Sequence, residues 1–435
     1  MELIIEKLVY GGDGLARLPA DESGRRKAVF LPFVLEGERV QARLSDDKAA
    51  FARGEVEQIV AASPARIAPD CPYFQRCGGC HYQHTSYQHQ LEIKSAILHE
   101  TLTRIGKLDL KAEIQIHPSP PWNYRNRTRM RLRTHPEFSL GYYRFASHAL
   151  LPVETCPISS PLINRAIAAL WELGRAGNFC KSITEIEFFA NSDDTHLQLE
   201  LYSSVHGDDG QLQAFGETLR AAIPEIVSIA VFPQSELGSI RPTSKLEAVP
   251  EILTGPGTLL YKANSAEYRV GAGSFFQVNR HLRDELVGLV VDGRSGTTAL
   301  DLYAGVGLFS VVLARKFERV IAVESSQTSY SDLKYNRPEN VKAVHATTEH
   351  YLKNGGKIRA DLVVVDPPRS GLREDVARML AQLKAPRIIY VSCDPATLAR
   401  DLRVLVESGY RVNEAHLIDL FPQTYHLETV IHLTI

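Results

Sequence analysis

The part of the chain after about residue 271 alternates short apolar runs with helical segments, and no other feature constrains the fold as strongly. Five runs have the length and composition of buried strands, namely TTALDLYAG, RVIAVES, VKAVHAT, ADLVVVDPP and RIIYVSCDP. Helical segments separate most of them, which predicts an α/β fold with a Rossmann-like, mainly parallel sheet over residues 271–435. The closing runs VNEAHLIDL and LETVIHLTI are joined only by FPQTYH, which predicts an antiparallel hairpin at the sheet edge.

Two further regions precede this domain. Residues 1–65 alternate apolar and polar residues in short segments separated by glycine and polar turns, which predicts a small β-barrel. A proline-containing break, ASPARIAPDCP, then opens a mixed α+β region over residues 66–270. Within it, the spacing of apolar residues predicts a helix near 88–104, which is expected to pack on the C-terminal domain.

Three strand ends of the C-terminal domain carry residues suited to a ligand. The first strand runs into a glycine-containing loop from Asp301 to Ser310, and Glu324 closes the next strand. Glycines let the backbone turn tightly beside a ligand, and a strand-end carboxylate can bind the ribose hydroxyls of an adenosyl group. This combination favours adenosylmethionine over a dinucleotide or a purely structural turn. Asp366, in the sequence DPPR, follows another apolar strand; the alternative for Asp366 is an N-cap.

A cysteine and two possible bases complete the chemistry-bearing set. Cys393 follows the strand RIIYVS, where exposure and a helix terminus are expected to favour its thiolate, although an isolated cysteine here would more often be buried filler. A thiolate that adds to carbon 6 of uracil makes carbon 5 nucleophilic toward a methyl group. A base must then remove the carbon-5 proton. Glu428 and His426, both in the final hairpin, are the candidate bases, and the sequence barely separates them.

The glycine loop, DPPR, SCDP and FPQTYHLE, in this order, resemble the 5-methyluridine RNA methyltransferases, which are class I enzymes that use S-adenosylmethionine. The resemblance covers nearly the whole chain and implies that Cys393 is the nucleophile and Glu428 the general base. The cofactor-binding residues that it implies are Gln277, Tyr303, Glu324 and Asp366. The chain departs from the family at Asp394, where Asn is common, and at Leu308, where some members carry a polar cofactor contact.

Four of the six cysteines form a set with metal-ligand character. They are Cys71, Cys77, Cys80 and the distant Cys156. Four thiolates can hold an iron–sulfur cluster or a structural zinc ion, and spacing alone favours neither strongly. The segment CPYFQRCGGCHYQH resembles the 23S ribosomal RNA branch of the family, which implies a 4Fe-4S cluster. Cys180 is predicted to be a buried apolar residue.

Arginines occupy alternate positions in the segment YRNRTRMRLR, namely Arg125, Arg127, Arg129, Arg131 and Arg133. In a strand these side chains would share one face, which predicts a row that contacts RNA phosphates. The alternative is a strand whose arginines pair with acids elsewhere in the chain. Residues 1–65 also resemble a TRAM domain, an OB-like RNA-binding barrel, with a structural cap as the alternative.

These features predict transfer of a methyl group from S-adenosylmethionine to carbon 5 of a uridine in RNA, with 23S ribosomal RNA as the expected partner. The alternatives are a transfer-RNA uridine methyltransferase and a non-catalytic RNA-binding protein. The net charge of −2 gives no global argument for nucleic-acid binding. No apolar stretch suits a signal peptide or a membrane span, so a cytoplasmic monomer is expected.

Overall fold

The computed structural model describes residues 1–22, 24–110, 112–204, 209–233, 250–354 and 358–435. It contains three sheets of six or more strands and one two-stranded hairpin. Within these described ranges, no helix is long and apolar enough to cross a membrane.

The N-terminal residues form a small closed barrel, as predicted. Its strands are β1 (Glu2–Ile4), β2 (Lys7–Leu8), β3 (Asp13–Arg17), β4 (Ala28–Pro32), β5 (Arg39–Asp47) and β6 (Phe51–Ala61). They follow the order β1-β5-β6-β4-β3-β2. Because β1 pairs with β5 and the adjacent β2 pairs with β3, the extended segment 2–8 joins both ends of the sheet. Apolar side chains such as Val29, Leu31 and Val40 fill the interior.

A helix and a strand that follow the barrel pack on the C-terminal domain. They are α1 (Tyr87–Arg104) and β7 (Ile114–His117). The Ser86 side chain caps α1 by accepting a hydrogen bond from the backbone N–H of His89. The predicted helix near 88–104 is therefore present, and its apolar residues Leu98 and Leu102 lie in the same core as strands of the C-terminal sheet.

The central region forms a seven-stranded sheet with two helices against it. Its elements are β8 (Arg127–Arg133), β9 (Ser139–Tyr143), β10 (Leu150–Pro152), α2 (Pro161–Arg175), β11 (Ile183–Ala190), β12 (Leu197–Ser203), α3 (Asp209–Ala222), β13 (Ile226–Pro233) and β14 (Glu251–Thr254). The strand order is β10-β9-β8-β11-β12-β13-β14. Helix α2 begins after the Ser160 cap, with Pro161 in its first turn, and buries residues such as Ile163 and Leu170 on the sheet.

The C-terminal domain contains the predicted α/β sheet and, before the expected boundary at residue 271, a hairpin that packs in the same core. Its elements are β15 (Thr258–Ala263), β16 (Ala266–Gly271), α4 (Arg283–Val291), β17 (Gly296–Leu302), α5 (Leu308–Leu313), β18 (Phe317–Glu324), α6 (Gln327–Asn336), β19 (Val341–His345), α7 (Thr348–Asn354), β20 (Leu362–Val365), α8 (Glu374–Gln382), β21 (Arg387–Ser392), α9 (Pro395–Glu407), β22 (Arg411–Ile418) and β23 (Glu428–Thr434). The strands β17 to β21 pair in parallel, and their apolar side chains are buried on both faces.

The edge of this sheet contains the predicted antiparallel hairpin and one unexpected strand. The full order is β19-β18-β17-β20-β21-β23-β22-β7. Strand β23 is antiparallel to both β21 and β22, which confirms the hairpin. Strand β7, from the region before the central sheet, pairs in parallel with β22 and extends the edge. The C-terminal sheet is therefore completed by residues more than 150 positions upstream of its first strand in sequence, Gly296.

Candidate active site

The carboxyl ends of the parallel strands bring the predicted site residues to one edge of the sheet. Tyr303 follows β17, Glu324 ends β18, Asp366 follows β20 and Cys393 follows β21. Parallel strands present their carboxyl ends at the same edge, where α/β sheets bind ligands. Because Ser392 of β21 pairs with Thr429 of the antiparallel β23, Glu428 also reaches this edge, next to Cys393.

The glycine loop is tied to Glu324. The Glu324 Oε2 atom accepts a hydrogen bond of 2.8 Å from the backbone N–H of Gly305, and Oε1 accepts from the N–H groups of Ser325 and Ser326 at 2.7 and 2.6 Å. Gly307 has a φ of +96°, and a side-chain carbon there would approach Leu333 to 2.9 Å, so the turn requires glycine. These contacts fix the strand-end carboxylate beside the loop.

The buried carboxyl group of Asp301 holds the far end of the same loop. The Ser310 hydroxyl donates a hydrogen bond to the Asp301 carboxyl group, which is fully buried. Burial raises the pKa of Asp301 to about 7, and the nearby Glu324 charge acts in the same direction. Leu308 is largely buried, so an apolar residue at this departure from the family pattern fits its surroundings.

Two further predicted cofactor positions, Tyr303 and Gln277, flank the loop. Tyr303, with a φ of +64°, lines a cavity of about 240 Å³ together with Ser325 and Pro368. Gln277 is buried, and its neighbour Phe276 packs in the same apolar layer as residues of the glycine loop. The structure therefore gathers the glycine loop, Tyr303 and Glu324, and places the segment carrying Gln277 against them.

The thiol of Cys393 is in a strongly shifted environment. Burial, together with the Glu428 and Asp366 carboxyl groups, raises its pKa to about 12, and Arg369 opposes this shift. The prediction that this strand end favours the thiolate is therefore wrong for the RNA-free protein, because desolvation and negative neighbours outweigh the helix terminus. Asp394 caps α9 by accepting hydrogen bonds from the N–H groups of Ala396 and Thr397 at 3.0 and 2.9 Å. An asparagine side chain can make the same cap, which accounts for the departure at this position.

The two candidate bases have opposite electrostatic surroundings. Burial and the Asp366 carboxyl group raise the pKa of Glu428 well above its usual value. Burial and the Arg369 charge lower the pKa of His426 to about 3, and the Arg369 Nη2 atom lies 3.4 Å from His426 Nδ1. His426 is therefore a very weak base in this structure, whereas Glu428 has a raised basicity beside Cys393.

A residue that the sequence analysis missed comes from the barrel. The hydroxyl of Tyr10 donates a hydrogen bond to the backbone carbonyl of Cys393 over 3.3 Å. The Tyr10 ring meets the Tyr425 ring edge-on, with the ring centroids 5.5 Å apart. The His81 ring also packs on Tyr425, with a distance of 4.6 Å between the ring centroids. No local pattern around Tyr10 signals this role, because its partner lies 383 residues away in sequence.

The loop that leads to Glu428 is held by residues from α1 and the cysteine segment. The carbonyl of Gln423 accepts hydrogen bonds from the N–H groups of His81 and Tyr82, at 2.8 and 3.0 Å. Lys94, fully buried on α1, donates to Asp419 Oδ1 at 2.6 Å and to the Phe421 carbonyl at 2.9 Å. Since the residues after Cys80 touch this loop, the cysteine segment and the active site are mechanically connected.

The predicted cysteine set lines one cavity. The four members, Cys71, Cys77, Cys80 and Cys156, border a cavity of about 240 Å³. Burial raises the pKa of Cys77 to about 11, and the neighbouring Cys156 and Cys71 contribute. Cys180 packs against the central core, as predicted, but it is half-buried rather than buried, because it lies at the margin of that core.

The arginines of β8 do not form the predicted phosphate-binding row. Arg127 is buried and pairs with Glu187 and, at 2.9 Å, with Glu200. Arg129 pairs with Glu185, and Arg131 Nη1 lies 2.6 Å from the same carboxylate. The acids come from the neighbouring strands β11 and β12, so the alternative of arginines paired within the protein applies to these three residues.

Comparison with known proteins agrees with this architecture. The family model described as tRNA (uracil-5-)-methyltransferase matches residues 86–435, and a TRAM domain model matches residues 1–56. An RNA methyltransferase of Aquifex aeolicus is 33% identical over 441 residues, covering 100% of this chain and 98% of the relative. An RNA methyltransferase of Gloeobacter violaceus is 32% identical and covers 99% and 95%. The solved structure of Pyrococcus abyssi tRNA (uracil-54, C5)-methyltransferase with S-adenosyl-L-homocysteine has a TM-score of 0.74 at 24% identity and full coverage of both chains, so the fold is shared.

Proposed function

The chain belongs to the tRNA (uracil-5-)-methyltransferase family, and we propose that, as an S-adenosylmethionine-dependent RNA methyltransferase, it methylates carbon 5 of a uridine in 23S ribosomal RNA. The observation that carries this proposal is the placement of Cys393 beside Glu428 at the edge of the sheet that also holds the glycine loop. A cysteine nucleophile and an adjacent base are the two groups that carbon-5 methylation needs from the protein.

Cys393 begins and ends the reaction. Its sulfur, once deprotonated, forms a bond to carbon 6 of uracil, and the electron pair of the 5,6 double bond shifts to an enolate that is nucleophilic at carbon 5. Bound S-adenosylmethionine supplies the methyl group on a positively charged sulfur. After transfer, Glu428 takes the carbon-5 proton, the double bond re-forms and the bond between Cys393 and carbon 6 breaks.

The electrostatics of the free site support this division of roles. Cys393 has a pKa of about 12, so its thiol must release its proton to solvent water when the sulfur adds to carbon 6. Burial and the Asp366 carboxyl group raise the pKa of Glu428, so its carboxyl group holds a proton in the RNA-free protein; once ionised, it is a stronger base than an ordinary glutamate. His426 has a pKa of about 3 and a neighbouring Arg369, so we assign the base to Glu428.

We assign Gln277, Tyr303, Glu324 and Asp366 to the cofactor. Glu324 is a strand-end carboxylate, which suits the ribose hydroxyls of the adenosyl group. Tyr303 lines a cavity next to the glycine loop, and Asp366 lies between that loop and Cys393 along the sheet edge. With a pKa raised to about 7, the Asp366 carboxyl group can also donate or accept a hydrogen bond near neutral pH.

We assign a 4Fe-4S cluster to Cys71, Cys77, Cys80 and Cys156. The fit rests on four thiols around one cavity of about 240 Å³, far larger than the ~30 Å³ that a water molecule occupies in the liquid. A polynuclear cluster uses such a space better than a single zinc ion. When bound, the cluster would hold the segment whose next residues, His81 and Tyr82, support the loop before Glu428.

Transfer RNA is the second candidate substrate, because the matching family model is described by tRNA. The cysteine set supports the ribosomal assignment through the resemblance of CPYFQRCGGCHYQH to the 23S branch. The TRAM barrel, which contacts the active site through Tyr10, is the assigned RNA-binding unit.

Labelled S-adenosylmethionine tests the choice of substrate. The purified enzyme is incubated with 23S RNA and with total tRNA, both isolated from cells that lack the gene, and 5-methyluridine is mapped by nuclease digestion and mass spectrometry. Label in 5-methyluridine of the 23S RNA is the expected result. Label confined to tRNA would establish the second candidate, and label in neither RNA would contradict the proposed activity.

A further inference from the structure

A group of ligand-type side chains lies on the last hairpin, away from Cys393. Glu414 and His416 are on β22, and His432 is on β23 directly opposite Glu414. One ligand atom from each of the three residues lies within 4.8 Å of the others. His432 is four residues along β23 from Glu428, which is about 13 Å in an extended strand, so the group is separate from the proposed catalytic pair.

The ring of His432 is oriented by a backbone carbonyl. Its Nε2 atom lies 3.0 Å from the carbonyl oxygen of Leu289, which can only accept a hydrogen bond. Nε2 therefore carries the hydrogen, and in the neutral ring Nδ1 is an acceptor that faces Arg294 Nη2 at 3.0 Å. That Nδ1 atom lies 2.9 Å from Oε2 of Glu414.

The ring of His416 is oriented by a two-step chain of hydrogen bonds. The Glu285 carboxylate accepts from Nδ1 of His117 at 2.5 Å, which leaves His117 Nε2 as an acceptor in the neutral ring. His416 Nδ1 donates to that atom over 3.1 Å. The Nε2 lone pair of His416 is then left facing Glu414, with Nε2 3.2 Å from Oε2.

Three acceptor atoms thus converge, namely Oε2 of Glu414, Nε2 of His416 and Nδ1 of His432. Arg294 brings one positive group, with Nη2 3.0 Å from His432 Nδ1. Its half-buried guanidinium also bonds to the Asp292 carbonyl at 2.6 Å, so it approaches the group from one side.

We propose that Glu414, His416 and His432 bind a divalent transition-metal ion of the zinc type. Two imidazole nitrogens and one carboxylate oxygen are a common zinc donor set, and the fourth position is open to water. The hydrogen bonds from the far nitrogens to Leu289 and to the His117–Glu285 pair match the outer-shell partners that orient metal-binding histidines. The site opens into a cleft of about 690 Å³, whose lining includes the carboxylates of Asp284 and Asp292 and the guanidinium groups of Arg294 and Arg387.

The ion would join parts of the chain that meet only at this edge of the sheet. Its ligands lie on β22 and β23, and the groups that orient the two histidine rings come from β7 and α4. A metal here would therefore stabilise the attachment of β7 and α4 to the last hairpin, without taking part in methyl transfer.

Zinc binding to the full chain, with its cysteine set in place, tests the proposal. Zinc affinity is measured by competition with a chromophoric chelator for the wild type, for Glu414→Gln and for the control Glu318→Gln, which changes an exposed glutamate on β18. The cysteines are common to all three proteins, so differences report the hairpin site. We expect the wild type and Glu318→Gln to bind about one zinc ion more than Glu414→Gln, or to bind it at least about tenfold more tightly. Equal stoichiometry and affinity in all three proteins would overturn the proposal.

Arg294→Leu is a second variant, for which the expected change in zinc affinity is opposite to that for Glu414→Gln. Removing a positive charge 3.0 Å from His432 Nδ1 should raise zinc affinity, and added zinc should raise the Tm of this variant more than that of Glu414→Gln. The guanidinium of Arg294 could itself be the cation that these three residues hold, in place of a metal. In that case Arg294→Leu will lose stability and zinc will not restore it, which also contradicts the proposal. Glu414 is exposed, so Glu414→Gln is expected to keep its fold, which a melting curve without metal checks.

Discussion

Cys393 is half-buried beside Glu428 and Asp366, and these surroundings raise the pKa of its thiol to about 12. Below a thiol's pKa, the thiolate fraction rises about tenfold per pH unit, and alkylation follows that fraction. We therefore predict that the rate of iodoacetamide modification of Cys393 in the RNA-free protein rises steeply from about pH 7 to about pH 9 without levelling. Mass spectrometry of the peptide that contains Cys393 measures this rate. A plateau near neutral pH would show a preformed thiolate and contradict the assigned surroundings.

Tyr10 makes a contact whose removal should affect catalysis more than folding. Tyr10→Phe keeps the ring against Tyr425 but removes the hydrogen bond to the Cys393 carbonyl. Such a bond contributes about 0.5–1.5 kcal/mol, and if it positions the nucleophile its loss should lower the single-turnover rate about two- to tenfold.

Tyr410→Phe is the matched control for Tyr10→Phe. It removes a similar bond, from a buried hydroxyl to the Ala385 carbonyl at 2.9 Å, on the far side of the C-terminal domain's core. We expect Tyr410→Phe to lower the Tm with an unchanged rate. Equal rates for Tyr10→Phe and the wild type at saturating RNA would show that the barrel contact does not position Cys393.

At the scale of elements, strand β8 shows what a local pattern leaves open. The alternation of arginines correctly predicts a strand with its arginines on a shared face, but it does not reveal which groups face them. The partners Glu185, Glu187 and Glu200 lie more than 50 residues further along the chain, on β11 and β12. Strand pairing over such distances is set by tertiary packing, so the ion pairs could not be deduced from the segment itself.

The double variant Arg127→Gln with Arg129→Gln distinguishes pairing within the protein from phosphate binding. Removing one partner from a buried ion pair costs about 3–5 kcal/mol, so the loss of Arg127 alone should lower the Tm markedly. The logarithmic salt dependence of RNA binding by the folded fraction should not change, because these side chains face glutamates. Arg133→Gln, at an exposed position on the same strand, is the control and should change the Tm little. A flattened salt dependence of RNA binding in the double variant would instead show that these arginines contact RNA phosphates.

Other elements followed from the sequence for clear physical reasons. Buried parallel strands are continuous apolar runs, and their carboxyl ends must meet at one edge, so Glu324, Asp366 and Cys393 could be grouped before the fold was seen. Glu428 could be placed through the short link to the last strand. The positions of strand β7 and Tyr10 could not be predicted from the sequence. Both contact the C-terminal domain across long sequence separations, and local periodicity does not reveal such contacts.

At the scale of the whole molecule, the barrel, the cysteine segment and α1 all contact the active-site edge. The barrel does so through Tyr10, the cysteine segment through His81 and Tyr82, and α1 through Lys94. The order of these units in the sequence predicts their presence but not their convergence. The site is therefore assembled from the barrel, the cysteine segment and α1 as well as from the C-terminal domain.

The cysteine set provides a test of this convergence. If it holds a 4Fe-4S cluster, anaerobically purified protein should be brown, and Cys80→Ser should lose the broad visible absorbance. The same variant should lose methylation activity, because Cys80 directly precedes the residues that support Gln423. Cys180→Ser, in the central core, is the control and should keep both properties. A colourless wild type whose bound zinc is lost in Cys80→Ser but kept in Cys180→Ser would reject the cluster and assign a zinc ion to the cysteine set.

The central claim is that Cys393 attacks uracil and Glu428 then releases the product. Glu428→Gln removes the base but leaves the nucleophile, so incubation with substrate RNA and S-adenosylmethionine should trap a protein–RNA adduct that carries the transferred methyl group. A denaturing gel with radiolabelled RNA, followed by mass spectrometry of the shifted band, measures this directly. We predict a shifted band for Glu428→Gln, none for the double variant that also carries Cys393→Ala, and little for the wild type, which turns over. Normal methylation by Glu428→Gln without any adduct, or methylation by Cys393→Ala, would contradict the covalent mechanism.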